Sequence, residues 1–393
     1  MPIIVCEMVS RVPRTVLFLH GSSGLYGSDR QLLRLAGGLD SGRFKPLVVL
    51  SGKSELAAAL QEAGIETICT PLATLRRSLA SGRGMAGTAV LLARNRRELA
   101  RIAAERAVAI IHTNTSIVIG GQAAAKASRI PHVVHVREIY PGLGGRQHER
   151  LWPLLRRRLL RADALACVSQ AVAAQFDGTD RAFVLHDGVV AVVPAPRDGA
   201  RAELGLDPDR FVVAVLGRLS DWKGQEVLAR ALAAPPLAEI GAIGLVAGAP
   251  APGQERYERA LVALGEQLGL GERLRLLGFR RDIETILGAA DAVAVPSTTP
   301  ESLPNAALEA ASAGVAVVAS AVGGLLEIVD DGKTGRLVPP GDAAILATTL
   351  RQLATDAPMR LRLGDAAAAD VGERFSVPRM LDEVQRCYER LLD

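Results

Sequence analysis

Arg218 and Lys223 stand five residues apart in the segment GRLSDWKG, each beside a glycine, Gly217 and Gly224. Two cations at that spacing, with glycines that let the backbone come close, can neutralise a diphosphate without a metal. The same residues also read as a basic loop that only faces water. Two carboxylates, Glu301 and Glu309, lie eight residues apart in PESLPNAALEAASAGVAVVASAVGGLLEIV, the first in a loop and the second inside the helix that follows. At 1.5 Å per residue such a pair would sit roughly 10 to 12 Å apart and straddle an extended ligand, with a helix N-terminus between them facing anionic oxygens. One glutamate could then hold a sugar and the other a ribose. Structurally, Glu309 could instead be an ordinary exposed helix residue and Glu301 a loop charge. His135 lies at the end of the strand-like HVVHV, followed by Arg137 and Glu138, and competes with His20, His112, His132 and His186 for any functional role; a lone histidine at a strand end also reads as a satisfied structural residue.

The elements that must position these residues are short apolar runs alternating with helical patterns. TVLFLH (15–20) reads as a buried strand, GSSGLYGSD (21–29) as a glycine-rich loop, and RQLLRLAGGL as the helix it opens. Further strands are expected at 44–52, 65–71, 107–114, 131–138 and 164–170, with helices such as 91–106 and 148–161 between several of them. That alternation predicts a doubly wound parallel sheet. After the strand-like AFVLHDGV, the proline-rich AVVPAPRDGA (191–200) reads as a linker. A second series of strands follows at 211–220, 243–249, 274–279, 291–297 and 315–320. The expectation is an α/β protein of two Rossmann-like domains, 1–190 and 201–374, facing each other across a ligand-binding cleft.

A length of 393 residues suits two domains, and 49% hydrophobic against 22% charged residues excludes global disorder. Seven Phe, two Trp and four Tyr are too few for a base-stacking surface, so no nucleic acid is expected as partner. Cys6, Cys69, Cys167 and Cys387 form no CxxC pair, which points away from zinc and disulfides and toward a reducing cytoplasm. The N-terminal stretch is broken by Glu7, Arg11, Pro13 and Arg14, so no secretory signal is expected, and no apolar run reaches membrane-spanning length. Residues 1–190 hold 25 Lys and Arg against 14 Asp and Glu, whereas 191–393 hold 21 against 28. The basic half could meet a membrane surface, an acidic acceptor or a phosphate group. Its arginine-rich stretches 75–107 and 146–161 read either as amphipathic helices for anionic lipid at the inner face of a membrane or as solvated charged faces.

Taken together, these segments resemble the family 4 glycosyltransferases of the GT-B fold. GR-L---KG at 217–224, the Glu301/Glu309 pair, EA-A-G-AVVA---GG--E from Glu309 to Glu327 and GKTGRLVPPGD (332–342) occur in the family's order and spacing. GLYGSD (24–29), VSQAV (168–172) and the closing FSVPRMLDEVQRCYERLL (375–392) resemble family elements more loosely, the last being the helix that crosses back to the first domain. The resemblance implies transfer of a sugar from a nucleoside diphosphate sugar, UDP- or GDP-linked, to a glycan, lipid-linked or small-molecule acceptor with retention of configuration. It implies that Arg218 and Lys223 bind the diphosphate, Glu309 the ribose and Glu301 the donor sugar, with Leu303 at the intervening helix N-terminus. Gly27 would bring backbone near the phosphates, Phe279 and Arg280 would border the base, and His135 would lie near the anomeric carbon. No cofactor and no Asp-x-Asp metal site is expected. Leu303-Pro304 stands where many members have Phe-Gly, HDGV (186–189) where Asn-Gly-Val is usual, and Asp29 where the family has Glu. A GT-B sugar-nucleotide epimerase and a non-catalytic nucleotide-sugar binder are the alternatives.

Overall fold

A computed structural model describes residues 12–21, 27–75, 82–140 and 146–393, with side chains left aside at 82–85 and 146–151. The loop 22–26 and Cys6 lie outside the described residues. Contacts divide the chain into unit 1, Met1–Val168, Ala173–Leu185 and Met380–Asp393, and unit 2, Ser169–Val172 and His186–Arg379.

Unit 1 is built on strands β1 (Arg14–His20), β2 (Phe44–Leu50), β3 (Glu66–Cys69), β4 (Val108–Thr113), β5 (His132–Val136), β6 (Ala164–Cys167) and β7 (Ala182–Val184). They form one parallel sheet in the order β3-β2-β1-β4-β5-β6-β7. Leu17, Phe18, Leu19, Val48, Val49 and Ile111 are buried because helices cover both faces, which is why these strands read as unbroken apolar runs. Unit 2 repeats the plan with β8 (Val212–Leu216), β9 (Ile243–Ala247), β10 (Leu274–Gly278), β11 (Ala292–Val295), β12 (Ala316–Ser320) and β13 (Arg336–Val338), in the parallel order β10-β9-β8-β11-β12-β13. In each unit the order reverses beside the first strand, between β1 and β4 and between β8 and β11. Loops leaving the carboxyl ends there diverge to opposite faces and open a crevice.

The contact division falls at Leu185/His186, a little before the expected domain end at 190. The helix Arg197–Glu203 begins inside the stretch read as a linker. Its Arg201 is 1% exposed, ion-paired to Asp291 at 2.8 Å, and donates to the carbonyls of Ala289, Pro208 and Arg210. An arginine reads as surface in sequence, so this anchoring point gives no apolar signal. The helix Val377–Leu392 passes from unit 2 into unit 1, where Tyr388 is fully buried with its hydroxyl 2.6 Å from His112 Nδ1. Among the described residues, no helix is long and apolar enough to cross a membrane.

Candidate functional site

Unit 2 gathers four of the residues singled out by sequence at the carboxyl ends of β8 and β11. β8 runs into Gly217 at φ 131°, and Gly224 at φ 70° precedes the helix Gln225–Ala233, so both bends use conformations that favour glycine. A Cβ on Gly224 would lie 1.9 Å from the Pro296 carbonyl oxygen, so the Arg218–Lys223 loop packs directly on the segment leaving β11. Thr298 N–H donates to Trp222 O at 2.8 Å and ties the two loops together.

Across that junction Lys223 Nζ donates to Glu301 Oε2, and the buried Ser297 hydroxyl donates to Glu301 Oε1. Both side chains are mostly buried, 21% and 11% exposed, and their pairing fixes the two ends of the contact relative to each other. The Glu301 carbonyl accepts from Gly324 N–H at 2.8 Å, and Cβ atoms on Gly323 or Gly324 would meet the backbone of Glu301 or Ser302. The two glycines of AVGGLLE therefore allow the glutamate loop its close seat. Pro304 precedes the helix Asn305–Ser312, Leu303 is buried beneath it, and Glu309 is 6% exposed. Glu309 is thus not an ordinary surface helix residue. Arg218 is exposed, and its carbonyl accepts from Gln225 Nε2.

After β10, Phe279 is 52% exposed, and Arg280 donates to Asp282 at 2.8 Å and to Glu203 at 3.1 Å. Glu327, last in the glycine-rich motif, accepts from the backbone N–H groups of Gln170 and Ala171 and from His186. Burial pushes its carboxyl up, but these three partners outweigh that and hold it below the usual range. One Asp-x-Asp does occur, at Asp207–Asp209, which corrects the expectation that the chain has none. It lies in the turn before β8, at the amino end of the strands, where Asp207 accepts from the Asp209 N–H at 2.9 Å. It is at the wrong edge of the sheet to join Lys223 and Glu301.

In unit 1, the carboxyl ends of β1, β4 and β5 carry a polar network that sequence reading had not assembled. His20 Nε2 donates to the buried Asp29 at 2.6 Å, which leaves Nδ1 to accept from Asn114 Nδ2 at 3.1 Å. Asn114 Oδ1 and its carbonyl in turn accept from Arg137, at 3.4 and 3.0 Å. Glu138 accepts from the Ser116 hydroxyl and from Arg137 N–H, and Ser116 Oγ is 2.7 Å from the Tyr140 hydroxyl. Burial raises the Glu138 carboxyl above its ordinary range despite those donors. His135 is fully buried in β5, with Nδ1 3.4 Å from Arg137 Nη2. Burial first, then Arg137 and His112, holds its imidazole well below the ordinary pKa and so neutral. Gly27 opens the helix Gly27–Gly37, two residues before Asp29. The run His112–Ser116, five consecutive polar residues where the apolar strand β4 ends, was the available signal for Asn114 and Ser116.

A family model described as "Glycosyl transferases group 1" matches residues 196–370, and one described as "Glycosyltransferase Family 4" matches residues 26–194. Among curated relatives, D-inositol 3-phosphate glycosyltransferase of Mycobacterium sp. (strain KMS) is 40% identical over 200 residues, 50% of this chain and 44% of the relative. The protein of the same name from Mycolicibacterium smegmatis is 36% identical over 216 residues, 54% and 48% of the two chains. The chain thus spans about half the length of the curated relatives it matches. Anabaena Alr3699/HepE, solved in complex with UDP and glucose, superposes with a TM-score of 0.82 at 26% identity, over 95% of this chain and 99% of that one. A glycosyltransferase from Rickettsia africae gives the same TM-score at 19% identity, over 97% and 99% of the chains, which speaks for the fold alone.

Proposed function

The chain belongs to the family 4 glycosyltransferases, with their GT-B fold of two Rossmann-like domains, and from that premise we propose that it moves a sugar from a nucleoside diphosphate sugar to an acceptor hydroxyl with retention of configuration. The observation that carries the reading is the Lys223–Glu301–Ser297 junction at the switch point of the unit 2 sheet, followed eight residues on by the buried Glu309 in the next helix. UDP is the first nucleotide to try, because the Anabaena relative was solved with UDP and glucose. GDP is the second.

In this reading, charge builds on the leaving diphosphate as the anomeric C–O bond breaks, and Arg218 and Lys223 stabilise it together with the helix N-terminus beyond Leu303. Glu309 takes the ribose hydroxyls and Glu301 the donor sugar. Glu301 also keeps Lys223 neutralised and in place before the diphosphate arrives. Retention follows from attack on the face the diphosphate leaves, with a diphosphate oxygen accepting the acceptor's proton. The two cations supply the charge stabilisation, so a divalent metal is not required. Phe279 offers an exposed ring for the base, and Arg280 holds the loop's rim. The acceptor is a hydroxyl on a glycan, a lipid-linked glycan or a small molecule, and the names of the mycobacterial relatives make a phosphorylated cyclitol the small molecule to try first. An anionic membrane surface at the inner face is a further partner proposed for the basic unit.

Calorimetric titration with UDP, GDP and ADP, repeated on Glu309→Gln, tests the donor site. One nucleotide should bind, and the variant should bind it about tenfold or more weakly, the loss of a charge-assisted hydrogen-bond pair. With a donor and acceptor in hand, Lys223→Ala should lower kcat about a hundredfold or more. Wild-type binding and turnover in both variants would place the donor elsewhere. Free epimerised sugar or free nucleotide in place of a glycosylated product would support the epimerase alternative, and binding without turnover the non-catalytic one.

A further inference from the structure

A cavity of about 890 Å³ opens at the amino ends of β5 and β6, the edge of the unit 1 sheet opposite Arg137 and Asn114. Its lining brings together Lys126, Arg129, Arg158 and Arg161 with His132 and Asp163. The four cations come from three places: the helix Gly121–Ser128, the residue that ends it, and the end of the helix Arg146–Leu159 with the turn after it. The one carboxylate among the six, Asp163, is engaged by the backbone N–H of His132 at 2.8 Å. Elsewhere the arginines of this chain commonly find carboxylates, as Arg101 does with Glu105, Arg106 with Glu66 and Arg201 with Asp291. Among the described residues, none of these four makes such a pair.

The cost of that arrangement is visible in the groups themselves. Arg158 is half-buried and donates to the Ile119 carbonyl, so it is fixed in place. Burial and repulsion from Arg161 pull its guanidinium below the ordinary range. His132 is pushed down to about 3 by burial and by Arg158, so it stays neutral and adds no charge, and its Nδ1 is buried without a hydrogen-bond partner among the described residues. A cation at the end of each helix would complement the two macrodipoles at about 0.3 to 1 kcal/mol apiece. Four are more than two helix ends call for, and Arg158 and Arg161 repel each other.

We propose that this cavity binds a phosphate group, carried by a soluble phosphomonoester or by the headgroup of an anionic lipid, at a site separate from the donor loops of unit 2. Three guanidinium forks suit tetrahedral phosphate oxygens better than a single carboxylate, and the volume accommodates a small phosphorylated molecule or a lipid headgroup. The inference stands on unit 1 alone and does not depend on the donor chemistry proposed above.

The test compares the full chain with Lys126→Glu/Arg161→Glu, a double reversal at two exposed side chains, and with the milder Arg129→Gln. One arm titrates glycerol 3-phosphate and inorganic phosphate by calorimetry. The other measures cosedimentation with phosphatidylcholine vesicles with and without phosphatidylglycerol at low salt. Binding in at least one arm should weaken about tenfold or more in the double variant and about threefold in Arg129→Gln. The melting temperature and UDP titration should be unchanged in both variants. Loss in the soluble arm identifies a free phosphomonoester, and loss only with anionic vesicles identifies a headgroup. Absence of binding in both arms, or equal affinity in wild type and variants, overturns the proposal.

Discussion

Ser297 meets Glu301 only because the chain leaving β11 turns back within four residues, so its hydroxyl and Lys223 take the two oxygens of one carboxylate. Ser297→Ala should therefore loosen Glu301 without unfolding anything. The expected result is a fall in kcat/KM of about tenfold, near the worth of one hydrogen bond to a charged group, with the melting temperature within a few degrees of wild type. Arg218, Lys223, Glu301 and Glu309 were legible in the sequence because charged residues at short spacings beside glycines are a local signal. Ser297 was not, since a serine after DAVAVP looks like any strand end. Asn114 was hidden for a related reason: its partners His20 and Arg137 are 94 and 23 residues away. Histidine burial gives a prediction of its own. His112 and His132 are both lowered to about 3, chiefly by burial, so between about pH 3 and 6.5 the unfolded chain binds protons that the folded chain refuses. Their contribution to stability is complete above pH 6.5 and is lost as the pH falls through that window. Denaturant melts at pH 7 and pH 5 should differ by on the order of 1–2 kcal/mol per histidine, and replacing His132 by Gln should flatten the difference.

The strands of both sheets follow the apolar runs closely because a parallel sheet buried on both faces leaves little polar residue within a strand. β13 escaped notice: three residues, RLV, between glycine and two prolines carry no periodicity to read. Loops are where the elements and the site meet. Gly224 and Gly324 each sit where a Cβ would come 1.9 Å from a neighbouring carbonyl oxygen, that of Pro296 in one case and Ser302 in the other. Gly324→Ala should push the Glu301 loop outward. A loss of about 2–4 kcal/mol in stability is expected, accompanied by weaker donor binding, and calorimetric melting with nucleotide titration would read both. A variant that melted and bound like wild type would show that the loop yields without cost.

At the scale of the whole molecule, the sequence conveyed two parallel-sheet units, whereas the contacts that divide them join residues far apart in the chain. The boundary at 185/186 is set by contacts such as the Val189 bridge to Ser376 and the Arg201–Asp291 pair, which join residues distant in sequence. The segment Met380–Asp393 belongs to unit 1, held by Tyr388 against His112 and Phe44, by Gln385 accepting from Asp40 N–H at 2.8 Å, and by Arg43 with Glu389. Tyr388→Ala should remove about 3–5 kcal/mol from unit 1. Amide exchange should accelerate across β1, β2 and β4 while unit 2 stays protected; a uniform loss in both would mean that the units unfold as one. The same feature bears on synthesis. The strands of unit 1 leave the ribosome first, yet the side chain that seals its core comes about two hundred residues after Leu185, once the whole of unit 2 has been made. Domains ordinarily fold in the order they emerge. Here the first sheet must wait with His112 and Phe44 uncovered, so the nascent chain is most exposed to chaperones and proteases in the half that was made earliest.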